Sequence, residues 1–312
     1  MMKKISICIP CYNEENNIHL MVERLKELFR NELSSYDCSI LFIDNNSTDS
    51  TRDIIREEVA RGGVKAIFNA RNFPMTSGYY GLLNAGGDCT ISIPADFQIP
   101  IDIVPKLVKE WEGGAAIVCA VKEGTKSSRL MWGIRQRFYH LYENLANGEI
   151  ISNYTGAGLY DKKFLDVLRE MDDPVPNLLA MVMSHGWNIK KVYYKEEKRR
   201  AGKTKNNLLS LISIAVLRIT NTSIIIPRLT MIIGVMISLI SFAGAIVYII
   251  LSLVLRTGFI AGIIPILCSI FFMGSILMIF LGLIGEYIIK INTRVTRAPL
   301  VIEDERVGFD KE

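Results

Sequence analysis

The chain lacks both glycine-rich phosphate signatures of common nucleotide-binding α/β proteins: neither G-x-G-x-x-G nor G-x-x-x-x-G-K-[ST] occurs in its 312 residues. A dinucleotide fingerprint and a P-loop are thereby excluded. Histidine is scarce. His19, His140 and His185 lie far apart in sequence, and no Ser-His-Asp or Cys-His pairing is assembled persuasively from them. Cysteine offers no zinc site either. Of six cysteines, Cys8 and Cys11 form a C-x-x-C, but no second pair follows, Cys8 falls in an apolar stretch and Cys11 follows Pro10. Buried structural thiols are expected, as a reducing cytoplasm permits. No signal peptide is expected, because Met-Met-Lys-Lys leads straight into a strand pattern and polar residues.

Charge is absent from two long stretches. None occurs between Arg228 and Arg256, and none between Arg256 and Glu286. Each interval exceeds the roughly 20 apolar residues that cross a bilayer core. A short connector around Arg256 to Ala261 joins them, so a helical hairpin is expected with both ends on one side. Lys290, Arg294 and Arg297 follow the second stretch, and the region before the first is rich in Lys and Arg. Positive flanks favour the cytoplasm, which predicts a multi-pass protein of the inner (plasma) membrane with its N-terminal domain and C-terminal tail inside. The expected organisation is a catalytic domain over 1–207, juxtamembrane amphipathic helices over 208–228, transmembrane helices over 229–255 and 262–285, and a cytoplasmic tail over 286–312. Net charge is only +4, and no nucleic acid is expected among the partners. Homo-oligomerisation is left open.

The first two hundred residues alternate strand and helix patterns. Lys4 to Pro10 is a short apolar run of the buried parallel-strand type. After Asn13 and Glu14, the residues Ile18, Met21, Val22, Leu25, Leu28 and Phe29 recur at three- and four-residue spacing and predict an amphipathic helix. Ser39 to Ile43 reads as a second strand. Its loop, Asp44-Asn-Asn-Ser-Thr-Asp49, places Ser47 or Thr48 to cap a helix through Ala60 that Gly62 and Gly63 stop. Val64 to Phe68 is a third strand, Ser77 to Ala85 a helix and Cys89 to Ile93 a fourth strand. Such alternation predicts a mostly parallel sheet in an α/β domain.

Ligands of such sheets bind beyond the carboxyl ends of the strands. Polar clusters sit there: Tyr12-Asn13-Glu14 after the first strand, Asp44-Asn45-Asn46 after the second, and Asp96 with Gln98 after the fourth. Asp and Asn also serve as caps and turn formers, so for any single cluster both readings stand. Without a glycine-rich loop, a nucleotide is held by carboxylates on its ribose or base and by a hard divalent ion on its phosphates.

The ordered set Ile9-Pro-Cys-Tyr-Asn-Glu-Glu15, Phe42-Ile-Asp-Asn-Asn-Ser-Thr-Asp-Ser-Thr51, Arg71-Asn-Phe73, Gly87-Asp88 and Ala95-Asp-Phe-Gln98 resembles the successive motifs of family 2 glycosyltransferases. Arg199-Arg-Ala-Gly-Lys-Thr-Lys205, the paired apolar spans, Gly285-Glu-Tyr287 and Ala298-Pro-Leu-Val301 continue it over nearly the whole chain. The resemblance implies a GT-A fold, Rossmann-like with a mostly parallel sheet, followed by a two-helix transmembrane hairpin. It points to the branch similar to dolichyl-phosphate mannose synthases and bacterial undecaprenyl-phosphate glucosyltransferases. The implied activity is inverting transfer of a sugar, expected to come from a UDP-hexose, onto polyprenyl phosphate for modification of cell-envelope glycans. The resemblance also implies site roles. Pro10, Tyr12 and Glu14 line the nucleoside pocket, Asp44 holds base or ribose, Asp96 and Gln98 take Mg²⁺ or Mn²⁺, and Arg199, Thr204 and Lys205 close over the diphosphate.

Two departures stand out. Pro94-Ala95-Asp96 replaces the family's Asp-x-Asp, and Tyr154-Thr-Gly-Ala-Gly158 has Ala157 where a carboxylate base is expected. The second is tolerable, because an ionised phosphate acceptor has almost no proton to remove. Stabilising the departing nucleoside diphosphate is indispensable, and it falls to Asp96 with its metal, Arg199 and Lys205. The basic run from Lys190 to Lys205 reads either as a patch for anionic lipid or as a phosphate clamp. Arg129 and Arg135, in an aromatic-rich segment, are candidates for the acceptor phosphate or solvated arginines of an ordinary helix. A processive polysaccharide synthase is disfavoured by the lack of Gln-x-x-Arg-Trp and by only two spans. A catalytically impaired membrane scaffold of the same fold is the other alternative.

Overall fold

A computed structural model describes residues 2–123, 151–184, 186–197, 236, 247 and 263–309. The chain divides into two compact units, one of Met1–Ile212 with Arg297–Glu312 and one of Ser213–Thr296.

The first unit is built on a sheet whose central strands are buried on both faces. Strand β1 (Lys4–Cys11) is buried at every position from Ile5 to Ile9, which is why it reads as a continuous apolar run rather than an alternating one. Helix α1 (Ile18–Asn31) turns Ile18, Met21, Val22, Leu25 and Leu28 into the core, the face that its spacing predicts. Next come β2 (Asp37–Asp44), α2 (Thr51–Ala60), β3 (Val64–Asn69), α3 (Ser77–Asn84) and β4 (Cys89–Ser92). After a short 3-10 turn follow α4 (Val104–Glu112), β5 (Ile117–Lys122), β6 (Tyr154–Asp161), α5 (Lys162–Met171), α6 (Leu178–Ser184), β7 (Ile189–Tyr194) and, near the C-terminus, β8 (Glu303–Val307).

These strands form one eight-stranded sheet in the order β7-β5-β6-β4-β1-β2-β3-β8. The pairs β1–β2, β1–β4, β2–β3 and β5–β7 are parallel, while β6 runs antiparallel to β4 and β5 and β8 antiparallel to β3. The mixed α/β architecture with a mostly parallel sheet is the one expected for a GT-A domain. Antiparallel β6 was not legible as such, since its sequence carries no mark of strand direction. The C-terminal tail is more than a tail, for residues 303–307 close one edge of the sheet.

Two glycines mark close approaches. A Cβ on Gly81 of α3 meets the Cys8 sulfur at 2.7 Å and Ile43 at 2.8 Å, so α3 lies tight against β1 and β2. Gly158 of β6 has φ +153, and a Cβ there meets the Val118 carbonyl at 2.2 Å, leaving room for no other residue. One local expectation fails. Helix α2 begins at Thr51 with Ser50 at its N-cap position and no side-chain cap. Ser47 and Thr48 do not cap it, because the Ser47 hydroxyl is used by Asp44 and by the Asn13 N–H, and Thr48 by Asn13.

In the second unit the described helix is α7 (Ile263–Val295), 33 residues long, with its side chains described only in part. Among the described residues no helix is long and apolar enough to cross a membrane. The expected first span, 229–255, lies outside the described residues except Met236 and Val247, and so does the juxtamembrane stretch 208–228.

The five cysteines whose side chains are described are free, with Cys8, Cys11, Cys89 and Cys119 buried and Cys38 half-buried. Burial pushes the Cys8 and Cys119 thiols up to about 12 and Cys38 up to about 11. Because burial raises these values, the thiol form persists well above neutral pH. Iodoacetamide at pH 8 is expected to modify Cys38 before the other four, read by peptide mass spectrometry, and early modification of Cys8 contradicts the packing. Gly158→Ala is expected to lower the thermal midpoint of the purified protein by about 5 °C or more, from an overpacking cost of about 1–3 kcal/mol plus backbone strain. An unchanged midpoint contradicts the close β5–β6 approach.

Candidate active site

The carboxyl ends of β1, β2 and β4 lie side by side, and the polar clusters expected there do converge. Strands β1 and β2 pair in register to their last residues, Cys11 opposite Asp44. Their following loops are therefore abreast, and they are bonded to each other. The Asn13 N–H donates to Ser47 Oγ at 2.8 Å, the Thr48 N–H to Asn13 Oδ1 at 2.8 Å, and the Glu14 N–H to Thr51 Oγ1 at 2.8 Å. Glu15 Oε2 accepts from the Ser50 N–H at 3.0 Å.

Each of the three strands is followed by a non-glycine residue in the left-handed region: Asn13 at φ 57, Asn46 at φ 63 and Phe97 at φ 58. Asn tolerates that conformation, but a bulky residue there is a genuine outlier of the kind that gathers at functional sites. Phe97 is held in it by its ring, which is buried in the main core. The flanking residues Asp96 and Gln98 are thereby thrown into a tight turn in which Asp96 Oδ1 accepts the Gln98 N–H at 3.1 Å. Asp96 is 8% exposed and Gln98 half-buried. The Gln98 carbonyl accepts the Glu197 N–H at 3.1 Å, which ties the segment after β7 to this turn. Beside it is an open cleft of about 720 Å³ lined by Pro100, Asp102, Lys106, Tyr193 and Glu197 among others. Neither Asp96 nor Glu14 lines that cleft.

Asp44 sits beneath the rim, with no exposed surface. Its oxygens accept the Ser47 N–H and hydroxyl and the Arg52 Nε at 3.0 Å. The guanidinium of Arg52 also donates to the Asn69 carbonyl at 2.9 Å and to Asp304 at 3.1 Å. Removing either partner from so buried a pair typically costs about 3–5 kcal/mol. Glu14, also buried, accepts Asn17 Nδ2 at 2.6 Å. Pro10 packs at the end of β1, half-buried, and Tyr12 beside it is half-buried as well.

A second layer of amides was not foreseen. Asn45 Oδ1 accepts the Phe73 N–H at 2.7 Å and Asn69 Nδ2 at 3.1 Å, while its own Nδ2 donates to Asn72 at 2.8 Å. Asn69 Nδ2 also reaches Ser77 Oγ at 2.9 Å. This network joins the ends of β2 and β3 to the start of α3. Clustering of Asn just after two strands was the signal available, whereas nothing local marks Arg52 or Asp304. The Arg71 guanidinium stacks over the Phe73 ring at 4.7 Å. Five expected site residues, Arg129, Arg135, Arg199, Thr204 and Lys205, lie outside the described residues.

The electrostatics of the rim are acidic. Burial, then the charges of Asp44, Glu14 and Asp49, push the Cys11 thiol well above its ordinary value. Among the described residues no group of three His, Cys, Asp or Glu side chains gathers to hold a metal ion. What the rim offers is one nearly buried carboxylate and hard oxygen donors, a set that suits a magnesium-type ion completed by a ligand's phosphates.

Residues 6–169, more than half of the chain, match the family model described as glycosyl transferase family 2. A prophage bactoprenol glucosyl transferase homolog of Escherichia coli (strain K12) is 30% identical over 303 residues, covering 96% of this chain and 98% of its own. The SfII prophage-derived bactoprenol glucosyl transferase of Shigella flexneri is 30% identical over 302 residues, with 96% and 97% covered. A crystal structure of mannosyl-3-phosphoglycerate synthase from Rubrobacter xylanophilus is a more distant likeness, at 17% identity and TM-score 0.49 over 70% of this chain and 73% of that one. The family match and the near full-length relatives make this chain a member of glycosyl transferase family 2, and hence a glycosyltransferase.

Proposed function

We propose that this glycosyltransferase moves a hexose from a UDP-sugar to a polyprenyl phosphate at the cytoplasmic face of the plasma membrane, with inversion. The observation that carries the reading is the turn after β4, where the strained Phe97 presents Asp96 as the carboxylate of an acidic rim. The bactoprenol glucosyl transferases that this chain matches over almost its full length support the lipid acceptor. The two uncharged stretches, 229–255 and 257–285, support a membrane hairpin.

Pro10, Tyr12 and Glu14 line the nucleoside side of the rim in this reading. Asp44 serves the nucleoside through the Asn45–Ser47 loop that its buried carboxylate holds. Asp96 and Gln98 would hold Mg²⁺ or Mn²⁺, which when bound would supply positive charge to the diphosphate. Arg199, Thr204 and Lys205 are assigned to the diphosphate, and Arg129 and Arg135 to the acceptor phosphate. An acceptor phosphate oxygen forms the new bond to the anomeric carbon as the bond to the diphosphate oxygen breaks, and the electron pair leaves with UDP. Ala157, 7% exposed, offers no base, and none is required, because the phosphate is already the nucleophile.

Purified protein incubated with UDP-hexoses, Mg²⁺ and undecaprenyl phosphate is expected to release UDP and form a lipid-linked hexose detectable by mass spectrometry. Failure with every nucleotide sugar tried sinks the reading. Asp96→Asn is expected to lower turnover by about 10²–10³-fold, and near-normal activity places the site elsewhere. Turnover against pH is expected to rise through about 6, where the second acceptor phosphate proton is lost, and then level off. The sign follows from the dianion being the reactive form, so a rate that falls across this window contradicts a base-free attack.

A further inference from the structure

Resting on the donor-site reading above, we infer that Asp304, on the C-terminal strand, is a positioning residue for nucleotide binding. Its carboxylate is part of a three-way clamp on Arg52. The guanidinium spends Nε on Asp44 at 3.0 Å, Nη2 on the Asn69 carbonyl at 2.9 Å and Nη1 on Asp304 at 3.1 Å. A planar fork satisfied in three directions has one orientation. Asp44, fully buried, passes that orientation to Ser47, and Ser47 passes it to the Asn13 N–H in the first rim loop.

The backbone of β8 is shaped for this contact. Glu305 pairs with Phe68 and Glu303 with Asn69, leaving Asp304 as the extra residue of a β-bulge. Bulges beside functional sites re-aim a side chain, and this one occurs at the row where β3 ends and the rim begins. The approach is also stitched down on either side. The Ala70 N–H donates to the Ile302 carbonyl at 2.9 Å, Thr76 Oγ1 to the Leu300 carbonyl at 2.6 Å, and the Tyr80 hydroxyl to Glu303 at 2.7 Å. Glu305, the neighbour of Asp304, binds Arg56 at 2.7 Å instead, and the described contacts of Arg56 are with Glu305, Asp53 and the Phe68 ring. Two adjacent carboxylates on one strand thus have similar exposure, 54% and 40%, but only one of them is wired to Asp44.

UDP binding to the full-length protein, measured by calorimetry with GDP as a second probe, tests the assignment. Asp304→Asn is expected to weaken nucleotide binding about three- to five-fold, the range of a partly exposed ion pair, and Asp304→Arg by about tenfold or more through repulsion of Arg52. Glu305→Gln is expected to leave affinity within about twofold, with thermal midpoints of Asp304→Asn and Glu305→Gln alike. In turnover assays the donor KM of Asp304→Asn rises while kcat and acceptor KM stay put. Equal nucleotide affinities for Asp304→Asn and Glu305→Gln overturn the inference alone. Absence of UDP and GDP binding by the unaltered protein overturns the donor-site reading and this inference with it.

Discussion

The in-register parallel pairing of β1 with β2, from Lys4 opposite Asp37 to Cys11 opposite Asp44, is the constraint on which the rest of the molecule depends. Because the two strands end flush, their loops leave the sheet together and bond across to each other. A shift of one residue turns every side chain to the opposite face, and the Asn13–Ser47 and Glu14–Thr51 contacts are lost with it. Strand β4, which pairs with the same β1, ends lower, with Ser92 opposite Cys8. The chain therefore climbs through Pro94 and Ala95 before it presents Asp96, and the climb ends in the strained turn at Phe97.

Acidic charge is concentrated at the rim, and in the proposed reading a sugar nucleotide's phosphates bind there only with cations present. Arg52 is the one cation described within the rim network, and it is committed below the surface to Asp44, Asn69 and Asp304. Its role is architectural, holding a buried carboxylate that is otherwise costly to ionise. In the proposed reading, the cations that face substrate come from the basic residues Arg199 and Lys205, from Arg129 and Arg135, and from a metal at Asp96, and they would favour the transition state, in which diphosphate charge grows.

Much of the site was legible in the chain itself. Tyr12, Glu14, Asp44, Asp96 and Gln98 stand at strand ends, because apolar runs that stop at polar residues mark where buried strands emerge. Their roles were less legible. Asp44, a base- or ribose-holding candidate, is sealed under the rim by Ser47 and Arg52. Ser47, a cap candidate, is occupied by Asp44 and Asn13. Ser47 is taken by Asn13, a partner from a distant segment, and local patterns carry no record of such a partner.

The sequence alone determined the strand and helix succession as far as β4, the buried face of α1, the carboxyl-end rim and the family, all of which rest on short-range periodicity and on motif order. Only the tertiary structure decided the antiparallel course of β6, the strand β8 on the edge of β3, and the clamp that joins Asp304 to Asp44 through Arg52. Arg52 and Asp304 are 252 positions apart, and nothing in either neighbourhood names the other. Sheet closure brings them within hydrogen-bond distance, since a β-strand at an open edge accepts whichever segment the fold delivers there.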